Sequence, residues 1–363
     1  MGLEQGRMSG SQLANLVIGF TIGSALVLMP GQAAKQDAWI AILIGLAEGL
    51  AFALIYLALA QRFPGRTLVE ISQAVYGPFL GTAISAAFLW FLFHLGSLVL
   101  RNFSDYFTIT SMPKTPPMAF LALIVWVCIW VTRNGIEVLA RCSEVLVPLL
   151  LATVALTVAL MIPEMDLRNL QPVLATPPGQ LLWAAHRSAT FPFAETVAFL
   201  MVIPFLNNAR RAKGAVVRAL IIAGLTLALA AARNTAVLGA TGAISTYPSY
   251  TAVQQIDVLD VITRLEILVD TSLLTMGFIK VAVLLYGTTL GTAQLLGLRS
   301  YRPLATPIGT LMAILAILNF DNVAENIAFA DLVWPLYALP FQLGIPLLTL
   351  VVAMVRGLPR KEA

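Results

Sequence analysis

Long apolar runs separated by short polar stretches make up most of the chain. A helix needs about 20 consecutive apolar residues to cross the hydrocarbon core of a bilayer, and most of the runs reach that length. The pattern therefore predicts an all-α integral membrane protein with ten transmembrane helices, numbered here as spans 1 to 10. The spans cover roughly residues 10–34, 38–61, 79–108, 117–133, 140–162, 179–206, 214–238, 267–296, 304–320 and 332–355.

Helix-breaking residues interrupt spans 1 and 6 near their middles. The interrupting residues are Ile22-Gly23-Ser24-Ala25 in span 1 and Thr190-Phe191-Pro192-Phe193 in span 6. An unpaired backbone group in lipid costs several kcal/mol, so a break at this depth must line a cavity or be covered by protein. Two breaks five spans apart are typical of an inverted-repeat transporter fold with its site between them. We expect one polytopic domain with repeats at about 10–162 and 179–355. The simpler interpretation is that the glycines serve packing and Pro192 only kinks the helix.

Composition supports the assignment to the membrane. Hydrophobic residues make up 59% of the chain and charged residues only 11%, whereas soluble domains contain about 25% charged residues. The two cysteines, Cys128 and Cys142, have no metal-binding spacing. No nucleotide-binding loop, zinc spacing or nucleophile elbow is present in the sequence. We therefore expect neither an enzyme nor a cofactor.

Basic residues in the loops predict the topology. With the N-terminus in the cytoplasm, fourteen Lys and Arg side chains fall in inner segments, and three, Lys35, Lys114 and Arg168, fall in outer loops. This bias predicts that both termini are cytoplasmic. The net charge of +4 is explained by these short loops and does not indicate nucleic-acid binding. In the longest loop, 239–266, helical spacing of Ile256, Leu259, Ile262 and Leu265 predicts an interfacial helix.

Ionisable residues inside membrane spans are costly and usually face the protein interior or water. Glu195 follows the span 6 break and would lie in the first turn of the second half-helix, where the helix dipole favours a carboxylate. Its candidate partners are Lys280 of span 8, His94 of span 3 and the amine of a ligand. A structural N-cap for the broken helix is the alternative role of Glu195. A buried salt bridge that fixes helix register is the alternative for Lys280, and hydrogen-bonded packing is the alternative for His94.

Three further charged residues of spans 3 and 6 are candidates for a gate. Arg101 and Asp105 lie four residues apart in span 3, so they can pair on one helix face. Arg187 lies in the outer half of span 6, where it can line an outer vestibule or reach the lipid headgroups. The alternative for Arg101 and Asp105 is a self-compensating pair at headgroup level.

Three features of the chain are the ten spans, a first-span break that ends in Leu28-Met29-Pro30, and Phe191-Pro192-Phe193-Ala194-Glu195 in span 6. In these features the sequence resembles the amino acid–polyamine–organocation (APC) superfamily. Further residues in the region of spans 7 and 8 are Tyr247-Pro248-Ser249-Tyr250, Asp260, Arg264-Leu265-Glu266 and Phe278-Ile279-Lys280 through Tyr286. In these the sequence resembles, within that superfamily, the B subunits of spore germinant receptors. The resemblance covers essentially the whole chain. It implies a LeuT-type fold in the spore inner membrane of an endospore-forming bacterium. It also implies a small germinant as ligand, and an A subunit and a C lipoprotein subunit as partners.

Spans 1, 3, 6 and 8 are expected to form the pocket. The candidate ligand-binding residues are Ile22, Gly23, Ser24, Ala25, His94, Leu98, Thr190, Phe191, Pro192, Phe193, Glu195, Met276 and Lys280. The candidate gating or structural charge pairs involve Arg101, Asp105, Arg187, Arg264 and Glu266. Free N–H groups at half-helix N-termini suit a carboxylate. Carbonyls at the broken ends, together with Glu195, suit an ammonium, so an amino acid is the expected ligand.

Three functional hypotheses follow from this pattern. The first is a germinant-receptor membrane subunit that senses a ligand without turnover. The second is a secondary amino acid transporter coupled to protons or sodium, and the third is a structural membrane scaffold. The span 1 break carries fewer glycines than many permeases do, which favours a sensor over a pump.

Overall fold

The fold is all-helical in the computed structural model, which describes residues 3–255 and 265–359. The interfacial helix expected around Ile256, Leu259 and Ile262, and the candidate gating residue Arg264, lie outside the described residues. The helices α1 to α15 are Gly10–Ile22, Ala25–Leu28, Ala38–Arg62, Leu68–Tyr76, Pro78–Ile109, Pro117–Asn134, Ile136–Met161, Pro178–Ser188, Ala212–Leu238, Pro248–Val253, Glu266–Leu295, Ala305–Leu318, Val323–Ala328, Trp334–Tyr337 and Ile345–Val355.

Local sequence signals explain several helix boundaries. Ser9 caps α1 through a capping box with Gln12, in which each side chain bonds the backbone N–H of the other residue. Thr67 and Glu70 form the same box at the start of α4. Helices α5, α6, α8 and α10 begin with proline, whose missing N–H costs nothing at that position.

Eight described helical segments are long and apolar enough to cross a membrane. Span 6 is not among them because its helix is broken, and the segment Arg302–Leu318 is shorter than the others. The count of ten spans therefore stays a prediction. Span 10 begins earlier than expected, since its helical segment runs over Val323–Val355 and contains π-helical turns at Phe329–Val333 and Pro340–Gly344. The short helix α4 was not predicted.

Spans 1 and 6 lie at the centre of the bundle. Helix α1 packs against α7, α9 and α11 and against the segment Ala194–Met201 that follows the span 6 break. Helix α3 packs along α8 and both halves of that break, and α5 packs along α11. Two glycines of α3 allow this close packing because they have no side chain. A Cβ at Gly45 would lie 2.5 Å from the Ala185 carbonyl oxygen, and one at Gly49 would lie 2.3 Å from Phe193 Cβ.

The molecule has two ends, which we call the terminal face and the far face. The terminal face carries Met8, Leu206 and Tyr301, and Arg62 donates there to carbonyl oxygens of residues 353 and 358. The far face carries residues 29–37 and the loops 166–177 and 239–248. There the Asp37 carboxylate accepts from the Leu174 and Thr176 N–H groups at 2.7 and 2.9 Å.

Candidate functional site

The two helix breaks meet in the middle of the bundle. Helix α1 ends at Ile22, Gly23 takes a positive φ of 23°, and α2 restarts at Ala25. In span 6, α8 ends at Ser188 and a π-helical turn contains extended backbone at Phe191 (φ −140°, ψ 110°). Helix α1 contacts both sides of the span 6 break. The expected pair of broken helices is therefore present.

A buried ion pair joins span 6 to span 8 beside these breaks. Lys280 Nζ lies 2.5 Å from Glu195 Oε2, and both side chains are 0% exposed. The rings of Phe191 and Phe20 lie 4.8 and 5.3 Å from the ammonium, within cation–π distance. A Cβ at Gly23 would lie 2.9 Å from Lys280 Cδ. The pairing of Glu195 with Lys280, one of the partners considered from the sequence, is thus observed, and Gly23 gives the lysine stem room to pass.

The second carboxylate oxygen of Glu195 has no hydrogen-bond partner in the part of the chain that the structure describes. Glu195 Oε1 is buried and accepts no hydrogen bond from the described residues, and the same holds for the hydroxyls of Thr21 and Ser24 around the span 1 break. Leaving a buried polar atom unpaired costs about 1–3 kcal/mol, more for a charged group. Such atoms in a transporter-like fold are candidates for contacting a ligand or an ion.

Glu195 lines a small cavity, which we call the central cavity, of about 40 Å³. Its other lining residues come from the spans that flank the breaks: Leu28, Leu95, Leu98, Val99, Asn102, Phe191, Asn326, Phe329, Ala330 and Trp334. The wall is thus mostly apolar, with the carboxylate and two amide side chains as polar groups. This composition suits a small molecule with one polar end.

A wider space of about 300 Å³, which we call the vestibule, lies on the far-face side of the central cavity. The two spaces share the wall residues Leu28, Asn102, Phe191, Asn326 and Ala330. Arg187 and Asp331 also line the vestibule and form an ion pair between spans 6 and 10. Phe191 is therefore part of the wall that the central cavity shares with a space large enough to admit a ligand.

The unwound backbone of span 6 is bound by side chains from spans 2 and 10. The Thr190 carbonyl oxygen accepts from Gln342 Nε2 at 2.9 Å and from Trp334 Nε1 at 3.3 Å. The Tyr56 hydroxyl lies 3.1 Å from the Ala194 carbonyl oxygen and 2.7 Å from that of Gln342. The Thr190 and Ala194 carbonyl oxygens thus already accept side-chain hydrogen bonds. The expected contact between carbonyls at the broken ends and a ligand ammonium stays a prediction.

The roles of Tyr56, Trp334 and Gln342 were not predicted. One signal was present in the sequence, because Gln342 is a lone amide within the apolar run of span 10. Its partner could not be inferred, since 152 residues separate it from Thr190.

Arg101 and Asp105 form the predicted pair, and it is buried. Arg101 Nε lies 2.8 Å from Asp105 Oδ1, and Arg101 Nη1 donates to the Phe320 carbonyl oxygen at 2.6 Å. Asn326 Nδ2 donates to Asp105 Oδ2 and to Asn102 Oδ1, each at 2.9 Å. The pair therefore ties span 3 to the connection between α12 and α13 and holds two amides that line the central cavity.

The remaining candidates lie around the site or away from it. His94 is half-buried between Trp90 and Tyr337, with its Nδ1 3.0 Å from the Tyr337 hydroxyl, and it lines neither of the two spaces described above. Glu266 begins α11. The candidates that are buried without lining either space are Ile22, Ser24, Ala25, Thr190, Pro192, Phe193 and Met276.

The terminal face is closed by the segment that precedes α1. The N–H of Met8 donates to the Phe205 carbonyl oxygen at 3.0 Å, and the Met8 carbonyl oxygen accepts from Asn207 N–H at 2.9 Å. Glu4 Oε2 accepts from the Tyr301 hydroxyl at 2.6 Å. Burial and the neighbouring Glu4 raise the pKa of Tyr301, so this phenol stays protonated and keeps donating.

Known proteins resemble this chain in sequence and in fold. A family model described as "Spore germination protein" matches residues 7–323. The chain is 33% identical to spore germination protein KB of Bacillus subtilis (strain 168) over 366 residues, which cover 99% of this chain and 98% of that protein. It is also 23% identical to the putative spore germination protein YfkT of the same strain, over 98% of this chain and 96% of the relative.

Solved transporter structures share the fold at low sequence identity. MHP1, a nucleobase-cation-symport-1 family transporter in a closed conformation with bromovinylhydantoin bound, superposes with a TM-score of 0.73 at 14% identity, covering 98% of this chain and 80% of that chain. MhsT in complex with L-phenylalanine superposes with a TM-score of 0.62 at 18% identity, covering 98% and 99%. These similarities establish the LeuT-type transporter fold.

Proposed function

The chain belongs to the spore germination protein family, and from that premise we propose that it is the membrane subunit of a spore germinant receptor. In this proposal it binds a small germinant, an amino acid in the first instance, between broken spans 1 and 6 and spans 3 and 8. Binding triggers germination, and the chain catalyses no reaction. It works with an A subunit and a C lipoprotein subunit in the spore inner membrane, with both termini in the cytoplasm.

The main support for the proposal is that the two oxygens of the Glu195 carboxylate have different surroundings. One oxygen pairs with Lys280, the other is buried and has no hydrogen-bond partner among the described residues, and the Glu195 side chain lines the central cavity. A ligand ammonium is the group that would satisfy that oxygen with a charge-assisted hydrogen bond. MhsT, which has the same fold, holds L-phenylalanine in its solved complex, and this supports an amino acid as the ligand class.

The size of the central cavity gives a reason for a conformational response. Pockets for small ligands usually measure about 300–1,000 Å³, whereas the central cavity is about 40 Å³ and the vestibule about 300 Å³. An amino acid that enters the vestibule therefore reaches Glu195 in the central cavity only if the shared wall at Phe191 and Leu28 moves. Because α2 and the span 6 break carry these residues, ligand binding would shift both broken spans.

A germination assay tests the proposal. Spores whose chromosomal copy carries Glu195→Gln are expected to need at least about tenfold more germinant than wild-type spores, because a charge-assisted hydrogen bond is lost. Glu164→Gln, an exposed far-face carboxylate, is the matched control and should leave the response unchanged. An unaltered response of Glu195→Gln spores that contain wild-type amounts of the protein would contradict the proposal.

A secondary amino acid transporter is the second candidate, and the shared fold and the vestibule favour it. Uptake of radiolabelled amino acid by proteoliposomes separates the two functions. The receptor proposal predicts ligand binding without accumulation under a proton or sodium gradient. Gradient-driven accumulation that Lys280→Met abolishes would instead support the transporter.

A further inference from the structure

The largest of the three cavities described here lies away from the Glu195–Lys280 pair, at the far face. We call it the side cavity, and its volume is about 550 Å³. It lies where the start of α3, the loop 166–171, the end of α9 and the loop 239–244 meet. Its wall includes Met29, Lys35, Gln36, Arg168, Asn169 and Asn234.

The charged lining groups of the side cavity are cationic. Lys35 and Arg168 are its only ionisable lining residues among those the structure describes. Arg168 is held at 3.2 Å from Asp166, which offsets part of its charge. Lys35 makes no ion pair within the described chain and has a positive φ of 52°, a backbone conformation that residues other than glycine adopt at a cost.

Amide and hydroxyl side chains line the same cavity, and the Lys35 and Arg168 side chains are exposed. Gln36, Asn169, Gln171 and Thr235 supply side-chain donors and acceptors in the wall. Lys35 has no ion-pair partner in the described chain, and Arg168 is only partly neutralised by Asp166. Two such cations beside neutral hydrogen-bonding groups suit a small anion that also carries hydrogen-bonding atoms. A cationic ligand has no carboxylate to meet among the lining residues described.

The side cavity is also connected to the first broken span. Asn234, in its wall, donates to the Ser249 hydroxyl at 3.0 Å, and that hydroxyl donates to the Leu26 carbonyl oxygen of α2 at 2.6 Å. Buried Arg233 fixes the Asn234 amide oxygen with bonds of 2.7 and 3.0 Å. Met29, which follows α2, lines both the side cavity and the vestibule. A molecule in the side cavity would therefore touch the same segment as the route to Glu195.

We propose that the side cavity is a second binding site, separate from the germinant site, for a small phosphate-bearing anion. Lys35 binds the anionic group, Arg168 adds charge at the rim, and the amides bind the remaining polar atoms. A phosphate group can reach this cavity free in solution or as a lipid headgroup, because the cavity lies at one end of the membrane spans. The recognition chemistry is the same in both cases.

Titration calorimetry of the purified full chain with inorganic phosphate at fixed ionic strength tests the site for a free anion. Lys35→Gln and Arg168→Gln should each weaken phosphate binding, Lys35→Gln by about tenfold because it removes a charge-assisted bond. The control is Lys114→Gln, which removes the same charge from an exposed far-face loop outside the cavity and should leave affinity unchanged. Size-exclusion profiles verify that each variant is folded.

A parallel experiment tests the headgroup source. Native mass spectrometry of protein extracted from phosphatidylglycerol–phosphatidylcholine vesicles should show retained phosphatidylglycerol if lipid is the ligand, with retention lost in Lys35→Gln and kept in Lys114→Gln. Phosphate binding that depends on Lys35 supports the free anion, and lipid retention that depends on Lys35 supports the headgroup. Neither result, or equal loss in Lys114→Gln, would overturn the proposal.

Discussion

At the scale of the residue, the two oxygens of Glu195 have different surroundings. Oε2 lies 2.5 Å from Lys280 Nζ, while Oε1 is buried and has no hydrogen-bond partner in the described chain. The Glu195 side chain lines the central cavity. The sequence predicted Lys280 as one of several partners because both are ionisable groups at similar depth in the membrane. It could not predict which oxygen stays unpaired, since that depends on how α11 packs against the segment after the span 6 break.

Removing either charge of this pair should destabilise the protein more than removing both. Glu195→Gln or Lys280→Met alone leaves an uncompensated buried charge, which costs about 3–5 kcal/mol. The double variant leaves none and should recover most of that loss. Thermal unfolding of the four proteins in one detergent measures the coupling. Additive losses would show that the two side chains act independently.

Gly23 should tolerate no side chain. A Cβ there would lie 2.9 Å from both Lys280 Cδ and the Phe20 carbonyl oxygen, and the residue has a positive φ. Gly23→Ala should therefore lower stability by about 1–3 kcal/mol, and Gly23→Leu should also abolish the ligand response. Gly214→Ala is the control, because nothing lies within 4 Å of its Cβ position and alanine favours a helix. Equal melting temperatures for Gly23→Ala and wild type would contradict the account.

At the scale of the element, span 6 is a broken helix held by its neighbours. Thr190 and Ala194, which flank the break, bond to side chains of spans 2 and 10 through their carbonyl oxygens. The position of the break could be predicted from Phe191-Pro192-Phe193 alone, because a helix breaker acts on the residues next to it. The hydrogen-bond partners of the break could not be predicted, since Tyr56 and Gln342 are distant in sequence. The early start of span 10 at Val323 was missed because Asn322, Glu325 and Asn326 make that turn polar.

Tyr56→Phe should lower the stability of the protein by removing a hydrogen bond to the backbone at the span 6 break. The change leaves the Ala194 and Gln342 carbonyl oxygens without the hydroxyl in a fully buried setting, at a cost of about 1–3 kcal/mol. Tyr76→Phe is the matched control, because the Tyr76 partner Thr349 keeps its own bond to the Ile345 carbonyl oxygen. Unfolding in denaturant measures both variants. A Tyr76→Phe loss as large as that of Tyr56→Phe would argue against a special role for this hydroxyl.

At the scale of the whole molecule, the structure is closed at the terminal face and wider at the far face. The segment before α1 bonds to residues 205–207 and to Tyr301, while the vestibule opens beside Arg187 and Asp331. Hydropathy was enough to predict the membrane class and the boundaries of most spans. Cavities could not be predicted, because each is lined by side chains from at least four separate segments. The topology with both termini in the cytoplasm remains a prediction.

Glu4 should hold the terminal face closed. Glu4→Ala removes the acceptor of the Tyr301 hydroxyl, so the backbone bonds between Met8 and residues 205–207 should open more often. Hydrogen–deuterium exchange of peptides that cover residues 4–8 and 205–207 should become faster. The rate should rise about tenfold for each 1.4 kcal/mol by which the free energy of local opening falls. Glu164→Ala, at the far face, should leave these rates unchanged. Unchanged exchange in Glu4→Ala would show that other contacts close this face.

Thermal-shift measurement of purified protein against the twenty L-amino acids tests the central claim, that the germinant binds at Glu195, most directly. Wild type should be stabilised by at least one amino acid, since a ligand that binds only the folded state raises the melting temperature. The Glu195→Gln/Lys280→Met double variant, which should fold, should lose that stabilisation, while Glu164→Gln should keep it. Stabilisation of the double variant equal to that of wild type, or no response of wild type to any amino acid, would contradict the account.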